Sequence, residues 1–279
     1  MPIGVFDSGI GGLSVLQALR EELPGEDFVY LADNGFAPYG ERGDALVTAR
    51  THAIAQYLHV QHHIKALVIA CNTATAAAIL QVRACFPALP VIGVEPALKP
   101  AVALSATGHI GVMATRGTVN SVKFQTLLAD LQGRARFVVQ PCDGLAAAIE
   151  RHALHPDASN ATELRALCQR YTRAMGQFGS EKGQIDTLVL GCTHYVFAAP
   201  ALRELLGDKV QLIDNGAAVA RQTRRLLTVA EALSTQATGQ TTLLTTRAAS
   251  ALQAAATQWL GLQGGAASAV GASVVDVPH

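Results

Sequence analysis

Ile64-Lys-Ala-Leu-Val-Ile-Ala-Cys71-Asn72-Thr73-Ala-Thr75 drives an apolar, branched run straight into a cysteine and small polar residues, and an alanine-rich helical pattern follows. Such a run reads as a buried parallel strand that delivers a thiol at its carboxyl end, where open α/β sheets place their ligands. The construction returns at Ile185-Asp-Thr-Leu-Val-Leu-Gly-Cys192-Thr193-His194-Tyr195. Two strand-end cysteines in matching contexts argue against inert core thiols. They predict that the chain holds Cys71 and Cys192 on opposite sides of one small molecule.

Working outward, the elements around both cysteines repeat. Ile3-Gly-Val-Phe6 is a first strand, ending at Asp7-Ser8-Gly9-Ile10-Gly11-Gly12 before an amphipathic helix over Leu13 to Leu23. The glycines allow a tight turn and leave backbone N–H groups free to meet an anion. A dinucleotide fingerprint is incomplete here, because Ser14 stands where its last glycine belongs, and it gives the second cysteine strand no place. Phe28–Ala32 is a second strand, followed by the turn-rich Asp33-Asn34-Gly35-Phe36-Ala37-Pro38-Tyr39-Gly40, a helix from about Gly43 to His62, a helix Thr75–Cys85 and a strand Val91–Val94. Tyr39 reads as a pocket residue rather than a merely packed loop aromatic.

Glu95-Pro96-Ala-Leu-Lys99-Pro100 marks a crossing between lobes. Beyond it, His109-Ile-Gly111-Val112-Met-Ala-Thr115-Arg-Gly117-Thr118 repeats the amino-terminal design, with Gly111-Val112 offset by 107 from Gly4-Val5, whereas the two cysteines are offset by 121. Unequal loops absorb the difference, and a duplicated half with pseudo-twofold symmetry follows. A strand at Phe137–Gln140, helices at Gly144–His152 and Thr162–Phe178, a helix at Ala199–Leu206, a strand at Val210–Ile213 and a helix over 217–233 complete the second half. The tail offers Thr241–Thr246 as a strand, Ala249–Leu260 as a helix and Ala272–Val277 as a last strand, packed back on the first lobe. The expected fold is therefore α/β: two pseudo-twofold-related domains with central, mainly parallel sheets and a site at their interface. The first comprises 1–96 plus 211–279 and the second 97–210.

Composition bounds the function. Half of the 279 residues are hydrophobic, 15% are charged, and 21 basic residues balance 21 acidic ones. A neutral chain without a basic block offers nothing to a phosphate backbone, so nucleic acid is not an expected partner. No apolar run reaches the roughly 18 residues of a transmembrane helix, and Met1–Asp7 is no signal peptide, so no membrane association is expected and the location should be cytosolic. Five cysteines without framework spacing then mean reduced thiols. Cys85, Cys142 and Cys168 read as small buried hydrophobes. No zinc spacing occurs, and His59, His62 and His63 read as a solvated face, so no metal is expected.

A thiolate serves as nucleophile, metal ligand or base. A nucleophilic cysteine enzyme leaves the second cysteine idle. Two thiols at related strand ends suit proton exchange at a carbon from either face: one thiolate removes a proton, and the other thiol delivers one opposite. With an ordinary thiol pKa of about 8.5 each needs a helper, and Asp7 can serve Cys71 while His194 can serve Cys192. Ser8, Asn72, Thr73, Thr115, Thr118 and Thr193 can hold an α-amino acid by its carboxylate and ammonium. No lysine sits in a cofactor-like motif, so pyridoxal phosphate is not implied. A related racemase acting on aspartate or a hydantoin, a two-lobed amino-acid-binding module without turnover, and a single-cysteine decarboxylase or acyl-transfer enzyme stand as rivals.

Taken in order, Gly4-Val-Phe-Asp7-Ser8-Gly9-Ile-Gly11-Gly12-Leu, Pro38-Tyr39-Gly40, Cys71-Asn72-Thr73-Ala74-Thr75-Ala, Glu95-Pro96-Ala-Leu-Lys99-Pro and Gly191-Cys192-Thr193-His194-Tyr195 resemble the bacterial glutamate racemases of the cofactor-independent aspartate/glutamate racemase superfamily, and the likeness runs on to Asp214-Asn215-Gly216. The resemblance implies cofactor-independent interconversion of L- and D-glutamate by two bases, with D-glutamate feeding peptidoglycan synthesis. It implies that Cys71 deprotonates the D enantiomer and Cys192 the L enantiomer. Asp7 and His194 would be the assisting residues, and Glu150 a further acidic residue of the site. Asp7, Ser8, Tyr39, Gly40, Asn72, Thr73, Thr193 and His194 would contact substrate. The resemblance admits a homodimer without giving its geometry. Three places depart from the usual pattern: Asn34-Gly35-Phe36, Val196 after His194-Tyr195, and Asn215.

Overall fold

A computed structural model describes residues 1–247, 249–262 and 272–278. The uniformly apolar runs become strands covered on both faces. In β1 (Ile3–Asp7) and β2 (Phe28–Ala32) all five residues are buried, with α1 (Leu13–Glu22) between them. The chain continues through a 3₁₀ turn at Tyr39–Glu41, α2 (Asp44–His62), β3 (Ala66–Ile69), α3 (Asn72–Cys85), β4 (Val91–Gly93) and α4 (Leu98–Leu104). The second half follows with β5 (His109–Ala114), α5 (Arg116–Asn120), α6 (Val122–Asp130), β6 (Arg136–Pro141), α7 (Leu145–Leu154), α8 (Ala158–Met175) and β7 (Thr187–Leu190). After a 3₁₀ segment at Thr193–Ala198 come α9 (Ala199–Leu206), β8 (Gln211–Ile213), α10 (Gly216–Val229), β9 (Thr241–Thr245), α11 (Ala249–Leu260) and β10 (Ala272–Val274).

Among the described residues the strands form two all-parallel sheets, ordered β10–β9–β2–β1–β3–β4 and β6–β5–β7–β8. The order β2–β1–β3–β4 in one lobe is thus repeated as β6–β5–β7–β8 in the other. Even the register recurs, for Gly4 lies opposite Leu67 and Gly111 opposite Leu188. Parallel strands need crossover helices on their faces, and these cover each sheet with apolar side chains. In α10, Val219, Ala220, Thr223 and Leu227 recur at helical spacing and pack on α1.

Three expectations change. Gln211–Ile213 pairs with β7, so the return to the first lobe starts at α10 rather than at 211. The short helices α4 and α5 are missing from the sequence reading, and so is α6. This last helix carries Phe124 and Leu127 to the core, but only two of its nine residues are buried, too few for a clear periodicity. Cys85 is exposed at the last turn of α3 rather than buried, whereas Cys142 and Cys168 are buried as expected.

Candidate active site

Both sheets turn their carboxyl ends toward one another, and each presents a cysteine there. Cys71 leaves β3 in extended conformation and caps α3, its Sγ accepting the Ala74 N–H at 3.5 Å. The helix start favours a thiolate at that position. Sγ also lies 3.9 Å from Ser8 Oγ at the end of β1. Burial pushes the Cys71 thiol well above its ordinary range, and the nearby Asp7 charge adds to that rise. The influence of Cys192 reaches Cys71 as well, so the two thiols share one electrostatic site.

Asp7 is fully buried, and burial raises its carboxyl pKa. One oxygen, Oδ2, accepts the Gly12 N–H at 2.6 Å. The other, Oδ1, has no hydrogen-bond partner among the described residues, and neither do the two polar atoms of the buried Asn72 side chain. A buried polar atom without a partner costs on the order of 1–3 kcal/mol. Three such atoms beside Cys71 are what an amino acid's ammonium and carboxylate would satisfy.

On the other side, Cys192 ends the β7 segment and its Sγ lies 3.7 Å from His194 Nδ1. The second ring nitrogen, Nε2, is 2.8 Å from Glu150 Oε1 on α7. Burial opposes the imidazolium, but the bonds to Cys192 and Glu150 outweigh it and hold His194 well above its ordinary value. The same Glu150 oxygen accepts the Ile10 N–H at 2.8 Å, so this acid ties the second lobe to the β1–α1 loop. The loop can come this close because it carries glycines. A Cβ at Gly9 would sit 1.9 Å from Glu150 Oε1, and one at Gly11 would sit 2.3 Å from His194 Nδ1.

Hydroxyls bridge the lobes beside the thiols. Thr73 Oγ1 at the start of α3 is 3.0 Å from Thr115 Oγ1 at the end of β5, and Thr115 bonds Thr118 Oγ1 at 3.0 Å. Thr193 is buried, and its carbonyl accepts the Ser14 hydroxyl at 3.3 Å. The backbone of Gly40 lies against Thr115. The Tyr39 hydroxyl instead donates to Asp33 Oδ2 at 2.5 Å, and Asp33 is held in turn by Arg50. A cleft of about 560 Å³ between α3 and α6 meets this cluster only at Thr73. None of the paired acid, imidazole and thiol groups lines that cleft.

The residues that depart from the usual pattern lie off the thiols. Asn215 donates its amide to the Glu95 carbonyl at 3.1 Å, Val196 joins the second-lobe core, and the Phe36 ring sits 4.0 Å from the Arg50 guanidinium. The sequence reading missed Asp33 and Arg50. The only signal was an arginine on the core side of α2, which periodicity alone reads as a misplaced charge.

Comparison with known proteins fits this geometry. The chain is 48% identical over 235 residues to a glutamate racemase of Ectopseudomonas mendocina, covering 84% of this chain and 85% of that one. It superposes on Bacillus anthracis glutamate racemase isoform RacE1 with a TM-score of 0.84 at 29% identity, covering 99% of this chain and 98% of that one. The Escherichia coli glutamate racemase, solved in complex with L-glutamate and activator UDP-MurNAc-ala, superposes with a TM-score of 0.81 at 29% identity, covering 100% and 99%. A profile described as Asp/Glu/hydantoin racemase matches residues 3–223, and the chain belongs to that family.

Proposed function

We propose that this chain is a glutamate racemase that interconverts L- and D-glutamate with two cysteine bases and supplies D-glutamate for peptidoglycan synthesis. The observation that carries the reading is the pair of buried thiols in mutual electrostatic reach, each with its own acid–base partner.

With D-glutamate bound, Cys71 starts as thiolate and Cys192 as thiol. Cys71 Sγ takes the α-proton, the electron pair passes into the α-carboxylate, and Cys192 returns a proton to the opposite face. The enzyme is then left with a Cys71 thiol and a Cys192 thiolate, which is the starting state for L-glutamate. Asp7, with its raised carboxyl pKa, is suited to share the Cys71 proton, and the Ala74 N–H steadies the thiolate. The His194 imidazolium, kept charged by Glu150, steadies the Cys192 thiolate. Asp7, Ser8, Asn72, Thr73, Thr115, Thr118 and Thr193 are proposed to bind the substrate's charged groups, with Tyr39 and Gly40 closing over it. Among the described residues no helix is long and apolar enough to cross a membrane. A cytosolic location and association as a homodimer belong to the same proposal.

The test is solvent-deuterium incorporation at the α-carbon of D- and L-glutamate by the parent, Cys71→Ser and Cys192→Ser. The parent should racemise and exchange both enantiomers. Cys71→Ser should lose exchange on D-glutamate and Cys192→Ser on L-glutamate, with racemisation lost in both. A parent that neither exchanges nor racemises glutamate refutes the reading, and aspartate is then the next substrate to assay.

A further inference from the structure

Arg50 lies in the middle of α2 and Asp33 one residue beyond β2, and both side chains are essentially inaccessible to water. Their pairing is bidentate, with Nε to Oδ2 at 3.1 Å and Nη2 to Oδ1 at 3.0 Å. The carboxylate accepts two more bonds, from the Tyr39 hydroxyl at 2.5 Å and from the Thr246 hydroxyl at 2.8 Å. The remaining guanidinium nitrogen, Nη1, donates to the carbonyls of Val277 at 3.1 Å and Pro278 at 3.2 Å. Five separate stretches of chain thus meet at one buried ion pair. A buried pair is weak evidence for stability, because its desolvation offsets much of the attraction. What such a pair supplies is geometry, and here the geometry leads to the thiols.

On one side, the Asp33 backbone N–H donates to the Asp7 carbonyl at 2.9 Å, which references the clamp to the end of β1. On the other, Tyr39 begins the turn that reaches across to the second lobe. Gly40 in that turn lies so close to Thr115 that a Cβ would be 2.6 Å from the threonine Cβ, and Glu41 Oε1 accepts the Gly144 N–H at 3.0 Å. Gly144 immediately precedes α7, the helix that carries Glu150. Tyr39, Cys71 and Val277 share one apolar cluster. Both thiols are buried when the turn is docked, so admitting any substrate requires the turn or the lobe that carries it to move.

We propose that Asp33 and Arg50 are positioning residues that make the Tyr39–Glu41 turn a rigid part of the first lobe, and that the segment Val275–Pro278 sets them by docking on Arg50. The inference rests on the racemase reading for its effect on turnover, but the clamp itself is a property of the fold. A turn held in advance costs little ordering when the lobes close. A loose one lowers the closed fraction, and apparent affinity falls in proportion to it.

Arg50→Lys keeps the charge and removes the fork, while deletion of residues 275–279 removes the carbonyl acceptors and leaves Arg50 in place. Two measurements apply to both: racemisation kinetics, and iodoacetamide labelling mapped to each cysteine by mass spectrometry. With the closed form dominant, a closing equilibrium weakened about tenfold should raise KM about tenfold for either enantiomer and speed labelling of Cys71 and Cys192 by a similar factor, with kcat nearly unchanged. The buried Cys142 and Cys168 should stay protected, and the exposed Cys85 should label at the parental rate as an internal reference. The proposal is overturned if KM and the labelling of Cys71 and Cys192 stay parental in both variants. It is equally overturned if all four buried cysteines become reactive together, which marks general loosening. A parent without racemisation refutes the racemase reading alone, because the selectivity of labelling still decides the clamp.

Discussion

Replacing Glu150 by Gln tests how the second thiol is served. One carboxylate oxygen accepts both the His194 Nε2 bond and the Ile10 N–H, each at 2.8 Å, in surroundings where the two side chains are only 5% and 15% exposed. Glutamine keeps the shape, and its carbonyl oxygen can still accept the Ile10 N–H, but the charge beside the imidazolium is gone. A hydrogen bond to a charged group contributes about 1.5–3 kcal/mol. Losing that much lowers the His194 pKa toward its ordinary value and costs about 10- to 100-fold in kcat/KM. Enantiomers have equal free energies, so the loss in kcat/KM must be the same in both directions even though only the Cys192 side is touched. Racemisation followed by polarimetry across pH gives both quantities. In the parent, activity should fall on the alkaline side as His194 loses its proton, and in Glu150→Gln that limb should move toward lower pH. A loss smaller than about threefold with an unmoved alkaline limb would refute the reasoning, since a charge contributing 1.5 kcal/mol or more cannot vanish so quietly.

Asp7→Asn should abolish racemisation while lowering the Cys71 thiol pKa, because the Asp7 charge helps hold that thiol up; the pH dependence of Cys71 alkylation reads it. Folding raises the Asp7 pKa, so its contribution to stability is present below the ordinary value of 3.8 and is lost as pH rises through the raised value. The Asn variant should therefore melt higher than the parent at neutral pH, with the gain disappearing in acid. His194 is raised as well, so its share of stability is intact below its ordinary value of 6.5 and is lost on the alkaline side, a slope that Glu150→Gln should flatten in thermal melts. Gly11→Ala places a methyl group 2.3 Å from His194 Nδ1 and 2.7 Å from Thr193 Oγ1, and should cost about 1–3 kcal/mol of stability together with most of the activity. A melting curve and a racemisation rate equal to the parent's would show that the loop gives way freely.

Much of this arrangement was legible in the chain. Continuous apolar runs such as Ala66–Ile69 and Thr187–Leu190 are the mark of parallel strands covered on both sides, and the residues at their ends are where α/β sheets put chemistry. Recurrence of the pattern announced the duplicated lobe, and the sheet orders repeat accordingly. What blurred was local: α6 buries too little to show a period, and Val210–Ile213 has the same apolar character whichever sheet receives it.

The residues at strand ends, their types and their order are properties of the sequence, because burial of a parallel strand demands apolar side chains, against which a thiol, an acid and an imidazole stand out. Which partner each group meets is not. Glu150 bonds His194 across 44 residues and Ile10 across 140, while Arg50 reaches Val277 across 227. Such meetings depend on how two sheets and their crossover helices close around one another, and no periodicity along the chain encodes a distance between lobes. What the chain carries on its own is two strand-end cysteines, an aspartate at a neighbouring strand end and a histidine two residues past the second cysteine. Closure of the two lobes is what brings one carboxylate to both His194 and the β1–α1 loop, and what sets Tyr39 against the buried Asp33–Arg50 pair.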